Sequence, residues 1–178
     1  MASPYPWQRS LMELAGEWDT RAIHVIHEPD GAGYRRSTTP MHTLCKNGMV
    51  LPPYDDCTEI VQSACAYLMK HDIRHTVPMF LDLSDSSDYG GDGDHKAKKR
   101  DLNEVFCALT VLKDGHAYDF RGHYRDWFFS CPNIFVFLDV LPDVDLLTHD
   151  RWRVWTVDTK LELRRYEGEL PNGERETS

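Results

Sequence analysis

No run of apolar residues in this 178-residue chain approaches the length that crosses a bilayer. Its start, Met1-Ala2-Ser3-Pro4-Tyr5-Pro6-Trp7, lacks the basic residues and apolar stretch of a secretory leader. Basic charge is also short. Twenty lysines and arginines stand against 29 aspartates and glutamates, a formal charge of −9 that opposes attraction to nucleic acid or an anionic membrane. The expected setting is the cytoplasm. The expected partner is a protein or a second copy of the chain, with nucleic acid and membrane disfavoured. Paired cysteine spacing is missing too: Cys45, Cys57, Cys65, Cys107 and Cys131 are odd in number and scattered, as suits reduced, mostly buried thiols.

Metal signatures are equally thin. The neighbours His24 and His27, His71 and His75, and His116 and His123 are not completed by a carboxylate or cysteine at a known ligand spacing. Gly90-Gly91-Asp92-Gly93-Asp94 is a single copy of a motif that binds calcium only when stacked, and no closing glutamate makes an EF-hand loop. No metal and no cofactor is therefore expected.

What is present is enough apolar material, 41% of residues, for a real core. Helical spacing is plainest at Cys57, Ile60, Val61, Ala64, Cys65 and Leu68, which predicts a principal helix over 57–71. Asp56 is placed to cap it and Glu59 to complete the start signal. A shorter helix is expected at 10–17.

Extended runs at 21–28, 77–83, 105–112, 116–120, 134–140, 152–157 and 160–164 read as strands. Pro29-Asp30-Gly31-Ala32-Gly33 reads as a turn into a hairpin partner at 34–39, and Asn47-Gly48 as a tight turn joining 43–46 to 49–51. Lys113-Asp114-Gly115 would close a hairpin between 105–112 and 116–120. Residues 84–100, almost without apolar side chains, read as a mobile loop, and the chain from 167 as a frayed tail. Many strands around one long helix predict a single α+β domain over 1–178, with a mainly antiparallel sheet packed on that helix.

Two groups of residues could carry function. The first is centred on Cys57, whose place at the first turn of a helix can stabilise a thiolate. A nucleophilic thiol needs a base and a group to orient that base. In a regular strand His116 and Asp119 point to opposite faces. The same Cys57 continues an apolar stripe, and Asp55, Asp56 and Glu59 oppose a thiolate by like charge, so a plain buried thiol competes with the nucleophile.

With Cys57 opening a helix and Asp119 on a later strand, residues 55–122 resemble the papain-like and transglutaminase-like thiol hydrolase domains of bacteria and their viruses. The resemblance implies a cysteine-dependent hydrolase or acyl transferase with Cys57 as nucleophile, Asp119 as the orienting acid and His116 or His123 as base, in place of the family's histidine on the strand before, which 104–112 lacks. It also suggests a bacteriophage origin, and hence a host's cytoplasm.

The second group is aromatic. Tyr118, Tyr124, Trp127, Phe128 and Phe129 cluster in sequence, and Trp152 and Trp155 have opposite strand parity, so a sheet covered on one face leaves one tryptophan outside. Trp127, Phe128, Trp152 and Trp155 are the candidate binding residues, since exposed aromatics favour interfaces. A non-catalytic protein-binding or assembly role is the expected function, and the thiol enzyme its alternative.

Overall fold

The computed structural model of the protein describes residues 3–28, 41–83 and 101–172. The elements run α1 (Pro6–Ala15), β1 (Ile23–His27), α2 (Met41–Leu44), β2 (Met49–Val50), α3 (Cys57–Lys70), β3 (Pro78–Asp82), α4 (Leu102–Lys113), β4 (His116–Asp119), β5 (Arg125–Phe128), β6 (Asn133–Leu138), β7 (Trp152–Val157) and β8 (Leu163–Arg165). Six strands form one sheet in the order β2-β3-β6-β1-β7-β8, and β4 and β5 form a separate antiparallel pair.

The large sheet is mostly parallel, which corrects the expected antiparallel arrangement. Central β1 pairs in parallel with β6, from Ile23 opposite Ile134 to His27 opposite Leu138, and in parallel with β7 on its other side. Strands β2, β3 and β6 continue the parallel run. Only β8, at the edge, runs antiparallel to its neighbour β7.

One misread element accounts for the correction. Residues 105–112, expected as a strand, belong to α4: Val105, Phe106, Ala108, Leu109 and Leu112 are buried at helical spacing. The Asp101 carboxylate accepts from the Glu104 N–H at 3.4 Å to start the helix. A helix apolar on most of its surface gives the same unbroken apolar run as a buried strand. With α4 restored, strands and helices alternate, and a parallel sheet follows because its crossovers need such helices.

The segment 113–115 is consequently no hairpin turn. Gly115 sits at φ +81° after the helix end, donates its N–H to Leu112 O at 2.9 Å and leads into β4. A Cβ at Gly115 would collide with Phe129 O. A second correction concerns 43–46, where α2 and a turn stand in place of a strand before β2. The expected turn at 29–33, its partner at 34–39 and the loop at 84–100 lie outside the described residues.

Both faces of the sheet are covered, because strand side chains alternate. Ile23, Val25, Met79, Leu81, Ile134, Val136, Trp152 and Val154 join the apolar residues of α3 and α4 in one cluster. On the other face Ile26, Phe80, Phe135, Phe137 and Val157 meet Trp7 and Leu11 of α1 and Met41 of α2. Strands buried on both sides need no polar alternation, and β6 is buried at all six positions.

Helix α3 starts as its sequence requires, with the Asp56 carboxylate accepting from the Glu59 N–H at 2.9 Å. Helix α1 is tied down at its far end by Asn133, whose side-chain amide donates to Ala15 O at 2.9 Å and Glu17 O at 2.6 Å. Among the described residues no helix is long and apolar enough to cross a membrane.

Candidate interaction surface

The β4–β5 hairpin stands apart from the large sheet and is fastened to α3 by polar contacts. Asp119 sits at its base with a side chain only 1% exposed. The carboxylate accepts from the Arg121 N–H at 2.9 Å, from Arg121 Nε at 3.0 Å and from Arg125 NH2 at 3.1 Å. These bonds, Arg121 foremost, hold the Asp119 carboxyl down at about 2. Gln62 of α3 accepts from the Phe120 N–H at 2.9 Å, and its backbone carbonyl accepts from Arg121 NH2 at 3.2 Å.

The second strand is fastened just as firmly. The Trp127 indole N–H donates to Ile73 O at 2.6 Å, and the Arg74 guanidinium lies 3.7 Å from the Trp127 ring centre. The Ser130 N–H donates to Arg74 O at 2.8 Å. An isolated two-stranded hairpin is marginal in water, so these anchors and the burial of Ala117 are what give it a defined shape.

Alternation then decides what faces outward. Ala117 and Asp119 are buried, while His116 and Tyr118 are half-buried, Tyr118 packing against the core cluster of α3 and α4 and His116 facing Phe128 across the ladder. Phe120, Tyr124 and Phe128 are 58%, 56% and 61% exposed. His116 stacks on Phe128 with ring centres 4.5 Å apart, and Tyr118, Phe120 and Tyr124 follow one another at 5.2 and 5.0 Å. The outcome is a ribbon of rings held on the outside of a braced hairpin.

The residues of the thiol constellation are distributed differently. Cys57 opens α3 with its sulfur facing the Cys107 thiol of α4 and the Tyr118 hydroxyl. Burial first, and then Cys107, push its thiol up to about 12, so desolvation outweighs whatever the helix start contributes. Asp119 is occupied by the two arginines. His116 stacks on Phe128 and lies 3.7 Å from Asp126, and His123 is in the exposed turn between the strands. The structure therefore does not gather Cys57, a histidine and Asp119 into one constellation.

Of the aromatic candidates, Trp127 and Phe128 lie on the hairpin. Trp152 is buried against Phe106 and donates to Val144 O at 2.8 Å. Trp155 is on the other sheet face and donates to His24 Nδ1 at 3.1 Å. Because helices cover both faces, the two tryptophans of opposite parity each pack against a core cluster, Trp152 buried and Trp155 half-buried.

Sequence reasoning missed β5 and the Cys57–Cys107 contact. Both depend on α4, whose sequence has the apolar run of a hairpin partner for 116–120. The glycine at 122, at φ +77°, was the available signal for the true turn. Among the described residues no three His, Cys, Asp or Glu side chains converge as a metal site. A shallow cavity of about 400 Å³ lies between α1 and β8, lined by Arg9, Ser10, Glu13, Glu162 and Arg164, with Arg164 already bonded to Asp158 and Glu162.

Comparison with known proteins finds no family model, no curated protein and no solved structure that matches the chain.

Proposed function

We propose that this protein acts by binding a macromolecular partner, and that the outward face of the β4–β5 hairpin is its binding surface. The observation that carries the reading is the ring ribbon of Phe120, Tyr124 and Phe128, exposed on a hairpin whose backbone is fixed by Asp119, Gln62 and Trp127. Rigid aromatic side chains lose little freedom on binding and dominate interface energetics. The acidic chain, at −9, favours a protein over a nucleic acid as partner. The thiol-nucleophile alternative gains nothing from the surroundings of Cys57, where a second thiol and a phenol stand in place of a base.

A combined Phe120→Ala, Tyr124→Ala and Phe128→Ala variant tests the reading. Affinity for the protein captured by the wild type, or self-association measured by sedimentation, should fall roughly 30-fold or more, as for loss of about 2 kcal/mol at an interface centre. Thermal unfolding should move little, because the three rings are already in solvent. Equal capture and equal self-association by wild type and variant would refute it. Tight, variant-sensitive binding to a single-stranded oligonucleotide alone would replace the protein partner with nucleic acid, since aromatics beside arginines also stack on bases.

A further inference from the structure

We propose that Cys57 and Cys107 are a disulfide-forming pair, an oxidation site that links the first turn of α3 to the middle of α4 when the protein meets a peroxide. This inference is independent of the binding surface. Cys107 is the exposed residue of an otherwise buried stretch of α4: Val105, Phe106, Ala108 and Leu109 all point into the core. Cys57 is buried at the start of α3, and its thiol lies near the Cys107 thiol and the Tyr118 hydroxyl of β4. One thiol is thus open to solvent and the other is sheltered directly behind it, on two helices that pack against each other in one core. The remaining cysteines are placed otherwise. Cys45 is buried on the far face of the sheet, Cys65 lies 3.7 Å from Met69 Sδ, and Cys131 donates to Lys113 O at 2.9 Å.

The division of exposure assigns the order of events. The Cys107 sulfur attacks the peroxide, the O–O bond breaks, and the departing alcohol or water carries away the Cys107 proton, leaving a sulfenic acid. The Cys57 sulfur then attacks the Cys107 sulfur. The S–O bond breaks, the S–S bond forms, and hydroxide leaves with the Cys57 proton as water. Two thiols lose two protons and two electrons, and the peroxide is reduced to an alcohol and water, or to two waters from hydrogen peroxide.

The experiment treats the full chain with hydrogen peroxide, alkylates the remaining thiols after denaturation, and maps the peptides. The expected result is one intramolecular link between the Cys57 and Cys107 peptides, reversed by dithiothreitol. The unfolding midpoint of the oxidised form should rise by roughly 5–10 °C, because the link closes a long loop in the unfolded chain. Cys107→Ser, at an exposed position, should abolish the link and leave Cys57 alkylatable, while Cys45→Ser should leave the link unchanged. Oxidation of Cys107 to sulfinic acid with Cys57 still free would overturn the proposal. So would dimers joined through Cys107, or a link between any other pair.

Discussion

Replacing Lys113 by methionine is expected to lower the unfolding free energy by about 3 kcal/mol, read as a shift in the urea midpoint at unchanged slope. Lys113 is the last residue of α4 and only 1% exposed. Its ammonium donates to Asp19 O and to Pro132 O, each at 2.7 Å. Those carbonyls belong to the segment entering β1 and the segment entering β6, so one cation joins the helix end to the two central strands. Methionine fills nearly the same volume and removes only the donors. The cost is then that of two buried carbonyls left without partners, each worth about 1–3 kcal/mol. Burial pulls the Lys113 pKa down, so removing the cation offsets part of this loss. A midpoint within error of the wild type would mean that water or a relaxed backbone takes over both carbonyls.

Lowering the pH from 7 to 4 is expected to remove about 3 kcal/mol of stability through His24 alone. His24 of β1 is buried, stacks on Phe135 with ring centres 4.9 Å apart, and accepts the Trp155 indole N–H at 3.1 Å on Nδ1. That bond requires an unprotonated Nδ1. Burial drives the pKa down from 6.5 to about 4, with Asp19 opposing and Lys113 and Arg153 assisting. The folded pKa is below the unfolded one, so the stability is fully present above pH 6.5 and is lost as pH falls towards 4. Asp119 and Asp150, held at about 2 by their arginines, keep their charge through this window. His27, also pulled down by burial, adds a loss of the same sign. The measurement is denaturant unfolding at stepped pH for the wild type and for His24→Leu. The variant should show a shallower fall below pH 6.5, and equal slopes would remove His24 as the cause.

The residues of α3 show how far local pattern reaches. Its apolar stripe, the Asp56 cap and its span emerge from spacing alone, because helix periodicity and capping are encoded within a few residues. The same holds for β1, β3, β6 and β7, whose apolar runs are bounded by polar or turn residues. Helix α4 escaped because Val105-Phe106-Cys107-Ala108-Leu109-Thr110-Val111-Leu112 is apolar on nearly every side and rich in residues that also suit strands. With that element misassigned, strand direction could not be recovered, since direction depends on which crossovers are helical.

The candidate site was legible only in composition. Tyr118, Tyr124, Trp127 and Phe128 stand close in sequence, but their partition into inward anchors and outward rings depends on the register of β4 with β5. Trp152 and Trp155 carry an equal aromatic signal, yet Trp152 is buried and Trp155 half-buried, because helices cover opposite faces of the sheet. Cys57 is legible as the first residue of a helix, whereas the burial that raises its thiol pKa depends on α4.

The chain by itself determined that it contains a capped helix from Cys57, several buried strands, scattered cysteines and a cluster of rings near 118–129. Each of these is a property of neighbours in sequence. Only the tertiary structure decided that the sheet is mostly parallel, that Asp119 serves two arginines, that the rings at 120, 124 and 128 face outward, and that Cys57 meets Cys107. Those outcomes rest on contacts between residues far apart in the chain, chosen by which surfaces α3 and α4 could bury together.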